Sequence, residues 1–149
     1  MEPMSSRRTV KLNRGSSVVW PDMAQLTELA KSLIDGKNLA SVATVMPDGS
    51  PQVAPVWVER EGDIVLINTT VRRQRYRNLK RDPRVALCVF DMANIYSKVL
   101  IRGKAIEITK EGAEEGIDRL SMKYNGRRYP DHRADEPRVV VKIVPEHVT

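Results

Sequence analysis

Two strand patterns meet at a tight turn in residues 39–57, which read LASVATVMPDGSPQVAPVW. The first pattern, over residues 38–46, is compact and partly β-branched, as is typical of strands. Residues 47–49, Pro-Asp-Gly, predict a tight turn, because these residue types favour turn geometry. The returning run, 51–59, and the next one, 63–68, therefore predict a three-stranded antiparallel meander.

Outward from this meander, the hydrophobic period alternates between that of helices and that of strands. Gly103 is expected to mark a bend or bulge in a long strand. About six strands, with one helix after the third and another before the last, indicate an α+β protein built on a closed or partly closed antiparallel barrel. The further predicted elements are a helix that begins at Asp22 and ends at Gly36, a short basic helix after Thr70 that ends at Asp82, strands over 84–90 and 95–107, a helix over 110–124 capped by Thr109, and a last strand over 138–144 that is buried on both faces or closes the barrel.

Length and composition bound the class of protein. The 149 residues, 41% of them hydrophobic, suffice for one domain with its own core. Residues 1–20 show little periodicity, so we assign them no regular fold and expect a flexible or partner-wrapping arm before a single barrel domain over 21–149. We expect neither a membrane span nor a signal peptide. Because the lone Cys88 cannot form an internal disulfide, we expect a reducing, cytoplasmic location.

The densest chemical signal is a run of cations from Arg72 to Arg84, interrupted by one acid, Asp82. Arg73 and Arg77 share a helix face, and the amino end of that helix would face a phosphate at the end of the preceding strand. Guanidinium groups bind phosphate through two hydrogen bonds, which favours a phosphorylated ligand. The residues alone leave open a solvated basic face and a nucleic-acid surface, although no nucleic-acid-binding signature is present. No metal-ligand set is evident, and we expect no metal site.

Three segments, taken in order, resemble one known family. They are residues 39–57, Ile67-Asn-Thr-Thr70, and Arg73-Gln-Arg-Tyr-Arg-Asn-Leu-Lys-Arg-Asp-Pro-Arg-Val-Ala-Leu87. Over about residues 25–145, this order resembles the split-barrel flavin and deazaflavin proteins of the pyridoxamine-phosphate-oxidase-like superfamily. The Arg-x-Arg-x-Arg-Asn-Leu-x-x-Asp-Pro-Arg-Val block is most similar to the branch that uses the deazaflavin coenzyme F420.

The resemblance implies a split β-barrel with two or three peripheral helices that forms a homodimer, with its cofactor sites at the subunit interface. It implies an F420-dependent oxidoreductase that transfers a hydride between the deazaflavin and a small conjugated organic substrate. The alternatives are an FMN-binding oxidoreductase of the same fold and a cofactor-binding protein without turnover. Neither nucleic acid nor a membrane is an expected partner, and no catalytic side chain is assigned.

The resemblance also implies cofactor-binding roles for residues of this chain. In a reductase, a loop region would line the substrate side, where His132 is expected to be exposed and Tyr124 could equally pack at the helix end. Its residues are Lys123, Tyr124, Arg128, Tyr129 and His132. The cofactor phosphate is expected at the end of the third strand and the basic helix, the ring along the second strand, and a contribution from the partner subunit before the fifth strand. The residues on the phosphate side are Asn68, Thr69, Thr70, Arg73, Arg75, Arg77 and Asn78. Those along the ring are Gln52, Val53, Ala54, Pro55 and Trp57, and those from the partner subunit are Ile95 and Tyr96.

Overall fold

The computed structural model describes residues 8–12, 17–20 and 22–149, which contain nine strands and three helices. The α+β class and the mainly antiparallel split barrel are confirmed. The strands are β1 (Arg8–Lys11), β2 (Ser17–Trp20), β3 (Ala40–Val45), β4 (Pro51–Val56), β5 (Val58–Glu61), β6 (Ile64–Thr70), β7 (Arg84–Asp91), β8 (Asn94–Thr109) and β9 (Arg138–Val148). The helices are α1 (Glu28–Asp35), α2 (Gln74–Arg81) and α3 (Ala113–Asn125).

Seven strands form one antiparallel sheet in the order β4-β3-β7-β8-β9-β6-β5. Its two edge strands, β4 and β5, are consecutive in the chain and are separated by Trp57 alone. The two ends of the sheet therefore come together at this residue, and the sheet curls into a barrel.

The predicted three-stranded meander is wrong in its middle strand, since residues 51–59 form two strands, although both of its predicted turns do join antiparallel pairs. β4 pairs with β3, as expected, but β5 pairs with β6 at the opposite end of the sheet, with Val58 opposite Ile67. Pro51 and Pro55 explain the difference, because proline has no N–H to donate and is therefore largely confined to the edge strands of a sheet. The run 51–59 therefore cannot form a central strand, and it changes edges at Trp57.

Helix α1 packs against β5, β7 and β8 and contributes to the main core. Its residues Ala30, Leu33 and Ile34 are buried among the valines and isoleucines of the barrel. The helix begins after Thr27, whose Oγ1 accepts a hydrogen bond from the Ala30 N–H at 3.1 Å. The predicted start at Asp22 is therefore wrong, because Thr27 is the residue that caps the first turn.

Strand β9 lies between β8 and β6 and is covered on both faces, as predicted. One face joins the barrel core, and Val140 on the other packs with Ala113 of α3. A bulge at Gly103 is also confirmed, because the β8–β9 register shifts there and a Cβ would lie 1.9 Å from the Val144 carbonyl oxygen. The predicted cap of α3 at Thr109 is wrong, since the helix begins after Gly112 at φ +76°.

The N-terminal arm contains a short antiparallel ribbon of β1 and β2. Our assignment of no regular fold is therefore wrong for 8–11 and 17–20, while the remainder of 1–20, except residue 12, lies outside the described residues. The Trp20 Nε1 donates to Glu146 Oε2 at 3.4 Å, which attaches the ribbon to β9. Across the described parts of the chain, no helix has both the length and the apolar character needed to cross a membrane.

Candidate functional site

A cavity of about 390 Å³ opens where the β4–β5 junction, the end of β6, the start of α2, α3 and the start of β9 meet. Cavities of similar volume lie on the outer face of β3, β7 and β8, but their linings are mostly apolar. We take the first cavity as the candidate site because it combines apolar walls with three arginines. Its lining residues are Leu39, Pro55, Val56, Trp57, Asn68, Thr69, Thr70, Arg73, Arg75, Ile117, Leu120, Tyr129 and Arg138.

Two buried polar groups in this cavity have no hydrogen-bond partner in the described structure, the Thr69 hydroxyl and the Arg75 Nε. Leaving a buried donor or acceptor unpaired costs about 1–3 kcal/mol, so such groups mark a place where a ligand atom would be stabilising. Burial lowers the pKa of Arg75, and the nearby cations Arg73 and Arg138 lower it further. An anion bound among these three guanidinium groups would oppose both effects, because an opposite charge favours the protonated form.

The amino end of α2 faces the same cavity. Arg73 occupies the N-cap position, and no side chain caps the first turn of this helix in the described structure. The N–H groups of a first helical turn carry a partial positive charge that attracts phosphate and carboxylate groups. The cavity therefore combines helix polarity with guanidinium charge, and its residues fit a phosphorylated cofactor.

Arg138 is the cavity cation whose orientation is fixed. Its Nη1 donates to Asn68 Oδ1 at 3.1 Å and its Nη2 to Tyr129 Oη at 2.8 Å, and the guanidinium lies 4.5 Å from the centre of the Tyr129 ring. Asn68 is held in turn by donating to the Ala113 carbonyl oxygen at 2.8 Å. Arg138 is thus prepared for a ligand before one arrives.

Trp57 forms the aromatic wall of the cavity. Its ring stacks on Tyr124 with centroids 5.2 Å apart and meets Tyr129 edge-on at 6.4 Å. The Tyr124 hydroxyl donates to the Asn38 carbonyl oxygen at 2.6 Å and accepts from the Val58 N–H at 3.2 Å. Burial raises the pKa of Tyr124, and these contacts give it a structural role beneath the tryptophan.

Half of the residues that the sequence predicts to bind the cofactor line this cavity in the structure. Thr70 lines it as well, but its Oγ1 already donates to Glu136 Oε1 at 2.8 Å. The other half lie elsewhere, on the edge strand β4 (Gln52, Val53, Ala54), in α2 (Arg77, Asn78) and in the β7–β8 hairpin (Ile95, Tyr96). The residues brought together are Pro55, Trp57, Asn68, Thr69, Thr70, Arg73 and Arg75.

Two of the residues outside the cavity hold α2 in place. Arg77 donates to the Arg72 carbonyl oxygen at 2.8 Å and to Gln74 Oε1 at 2.6 Å. Asn78 is fully buried, and its amide donates to Thr44 Oγ1 of β3 at 2.9 Å. Their contacts are internal to the protein.

Arg138 was missed from the sequence, where it was only the first residue of the last strand. The signal was an arginine at the start of an otherwise apolar run. Using it requires the β6–β9 pairing, which sets Arg138 opposite Thr70.

The pyridoxamine 5'-phosphate oxidase family model matches residues 26–149. A solved structure named F420 reductase is 30% identical, with a TM-score of 0.75, and the match covers 83% of this chain and 98% of that chain. HupZ of Group A Streptococcus is 25% identical, with a TM-score of 0.63, over 83% of this chain and 92% of that one.

A conserved hypothetical protein of Mycobacterium tuberculosis shares the fold at 24% identity and a TM-score of 0.64, over 85% of this chain and 84% of that chain. No curated protein sequence matches the chain. Proteins of the matched family are generally oxidoreductases on a flavin-binding split barrel. The matched segment spans the whole seven-stranded sheet and every residue that lines the cavity. The chain therefore belongs to the pyridoxamine 5'-phosphate oxidase family.

Proposed function

We propose that this chain is an F420-dependent oxidoreductase that transfers a hydride between the deazaflavin and a small conjugated organic substrate. The observation that carries the proposal is the half-buried Arg75, whose buried Nε has no hydrogen-bond partner among the described residues, in a cavity with two further arginines. The 30% identity with a protein named F420 reductase supports the choice of cofactor. The net charge of +6 supports it too, because a basic chain attracts a strongly anionic coenzyme.

In this proposal, the arginines of the cavity hold the cofactor's phosphate. Arg73 and Arg75 supply charge beside the amino end of α2, Arg138 supplies a fixed pair of donors, and the Thr69 hydroxyl donates a further hydrogen bond. When bound, F420 supplies the hydride chemistry itself. The protein's part is to orient the cofactor and to keep water from its apolar side, where Trp57 and Leu120 line the cavity.

The ring would lie along β4. This strand is at the edge of the sheet, so its outer row of backbone N–H and C=O groups faces away from β3, and no strand in the described part of the chain pairs with it. The N–H groups of this row can donate hydrogen bonds to the carbonyl oxygens of a flat heterocycle whatever the side chains are. This supports the roles proposed for Gln52, Val53 and Ala54.

We further propose that the active form is a homodimer. Val53 of β4 and Leu100 of β8 are exposed on one apolar face, at 65% and 46%. At the tip of the β7–β8 hairpin, Ile95 is 61% and Tyr96 is 85% exposed. Contiguous apolar surface of this kind marks interfaces, and a second copy would cover it while bringing Ile95 and Tyr96 toward the neighbouring cofactor site.

FMN binding is the second candidate function, because the cavity's anion chemistry suits any cofactor that carries a phosphate. The first experiment is therefore a titration of the purified protein with F420 and, separately, with FMN, followed by Trp57 emission. We expect tighter binding of F420. The opposite preference would move the protein to the flavin-dependent group, and binding of neither would contradict the proposal.

Turnover separates an enzyme from a cofactor-binding protein. Reduced F420 is mixed with the protein and a panel of quinones and other conjugated acceptors, and its oxidation is followed by absorbance. The double variant Arg73→Ala/Arg75→Ala serves as the control, since it lacks two of the cavity's cations. Oxidation that depends on the wild-type cavity supports an oxidoreductase, whereas tight binding without oxidation favours a binding protein.

A further inference from the structure

His132 lies in the loop between α3 and β9, with both ring nitrogens against carboxylates of α3. Its Nδ1 is 2.5 Å from Glu114 Oε2, and its Nε2 is 2.8 Å from Asp118 Oδ1. A neutral imidazole has one N–H and can donate to one of these oxygens, whereas the imidazolium can donate to both. The geometry therefore fits the protonated ring.

Glu114 and Asp118 make the stability of this arrangement depend on whether the His132 ring is protonated. They are four residues apart on α3 and so project from the same face, where like charges repel. The imidazolium of His132 sits between them and offsets that repulsion. Without its proton, His132 can donate to only one of the two carboxylates, and the positive charge between them is lost.

Asp118 also holds the backbone of the loop. Its Oδ1 accepts from the Tyr129 N–H at 3.1 Å, and its Oδ2 accepts from Arg128 Nη2 at 3.3 Å. Three positions of the loop, at 128, 129 and 132, thus converge on one carboxylate. We call the contacts of His132, Glu114 and Asp118 the clasp, because they attach the loop to α3.

From the clasp, contacts continue directly into the cavity. The Tyr129 ring lies edge-on to His132, with centroids 5.9 Å apart, and lines the cavity itself. Its hydroxyl accepts the hydrogen bond from Arg138, whose other arm donates to Asn68. Between the imidazole and the cavity arginine there is therefore one side chain, and its backbone is held by the clasp.

We propose that His132 is a positioning residue: its protonated form clasps the loop to α3, holds Tyr129 and Arg138 in place for an anionic ligand, and releases them as the pH rises. This deepens the proposed function, since it concerns regulation of the same site. It requires only that the cavity binds an anion, whichever cofactor that anion belongs to.

The direction of the pH dependence follows from the charged groups around His132. Glu114 and Asp118 face it from α3, Arg128 of the loop shares Asp118, and Arg138 of β9 lies beyond the Tyr129 ring. Hydrogen bonds to Asp118 and then Glu114 raise the pKa of His132 above its ordinary 6.5. A raised pKa means that the clasp is complete below 6.5 and is lost as the pH rises through the folded-state pKa.

The test uses inorganic sulfate, whose charge is constant from about pH 5.5 to about pH 9, so that only the protein titrates across the range of histidine. The dissociation constant of sulfate is measured across this range at fixed ionic strength. Hydrogen exchange of residues 127–136 and Trp57 emission, in a Trp20→Phe background, report the loop without any ligand. The His147→Gln variant is the matched control, because it removes the other of the two histidines.

In the wild type and in His147→Gln, we expect sulfate affinity to fall about 2- to 10-fold as the pH rises, the effect of one lost hydrogen bond, in step with loop exchange. His132→Gln should bind weakly at every pH. His132→Arg keeps its charge and its donors, so it should bind tightly at every pH. This rescue distinguishes a charge-dependent clasp from mere packing.

A flat wild-type profile, or no sulfate binding at low pH, would overturn the proposal. So would a loop transition without any change in affinity. If the sulfate profile and its rescue hold but neither F420 nor FMN binds, the proposed function fails and the clasp stands. If F420 binds with a flat profile in every variant, the proposed function stands and the clasp fails.

Discussion

The arginines at the two ends of α2 differ in whether they already have hydrogen-bonding partners within the protein. At the amino end, Arg73 and Arg75 border the cavity, and neither pairs with a carboxylate among the described residues. At the other end, Arg81 donates to a backbone carbonyl of β3, and Arg84, just beyond the helix, pairs with Asp82 at 2.6 Å. A cation that already has protein partners gains little from a ligand, whereas an unpaired one gains a new hydrogen bond. Pairing, rather than charge alone, therefore marks the binding end.

The largest expected effect contrasts two arginines of the same helix. Arg75→Ala should weaken F420 or FMN binding about 10- to 100-fold, because a hydrogen bond to a charged group contributes about 1.5–3 kcal/mol. Arg77→Ala should change it less than about 2-fold, since Arg77 is already engaged by Arg72 and Gln74. Calorimetric titration measures both constants. Equal losses of affinity in the two variants would contradict the distinction between unpaired and paired arginines.

The same arginine should cost stability when no ligand is present. Arg75→Met keeps the length of the side chain and removes a half-buried, incompletely paired charge, so the free energy of unfolding should rise by about 1 kcal/mol. Arg84→Met, at a paired and exposed position, should leave it unchanged or slightly lower. Urea unfolding of the ligand-free proteins measures the difference. A less stable Arg75→Met protein would show that Arg75 serves the fold.

Arg138 is an intermediate case, a cavity cation that does have partners. Tyr129→Phe removes the hydroxyl that accepts from Arg138 Nη2 and leaves the ring beneath the guanidinium. We expect cofactor affinity to fall about 2- to 5-fold, because one of the two hydrogen bonds that orient the arginine is lost while the one to Asn68 remains. The control is Tyr76→Phe, on a ring that does not line the cavity. Unchanged affinity in Tyr129→Phe would mean that Asn68 alone orients Arg138.

The smallest effect concerns the paired end of the comparison. Hydrogen bonds from Arg84 lower the pKa of Asp82 from 3.8 to about 2. A depressed pKa contributes stability above pH 3.8 that is lost as the pH falls through about 2. The unfolding temperature should therefore fall more in the wild type than in Asp82→Asn as the pH is lowered from about 5 to about 2. The difference should be slight, because exposed ion pairs contribute little to stability. High salt should shrink this difference, and identical profiles would show that the pair is not formed in solution.

The local part of the site was predictable because the chain itself carries it. Thr69 and Thr70 end one strand, and Arg73 and Arg75 follow within six residues, so any fold that keeps this strand–helix junction brings them together. The same reasoning could not predict that Arg77 lies outside the cavity. Whether a guanidinium faces a cavity or donates to its own helix depends on side-chain contacts that a spacing pattern does not contain.

The long-range part of the site depends on strand pairing. Arg138 joins the cavity only because β9 pairs with β6, and its contact with Asn68 spans 70 positions in the chain. The change of edge at Trp57 was similarly hidden, since one residue interrupts a run that otherwise alternates like a single strand. Pro51 and Pro55 were the available signal, because they already restricted that run to an edge.

The single-residue junction at Trp57 also orders events during folding. Strands at opposite ends of the sheet meet there, so the cavity is complete only when all seven strands are in register. The β6–β9 pairing joins residues that lie far apart in the sequence, so it forms slowly, because the long segment between the two strands must close into a loop first. Binding competence should therefore appear in the last step of folding, and a ligand that binds there would stabilise the closed barrel as a whole by mass action.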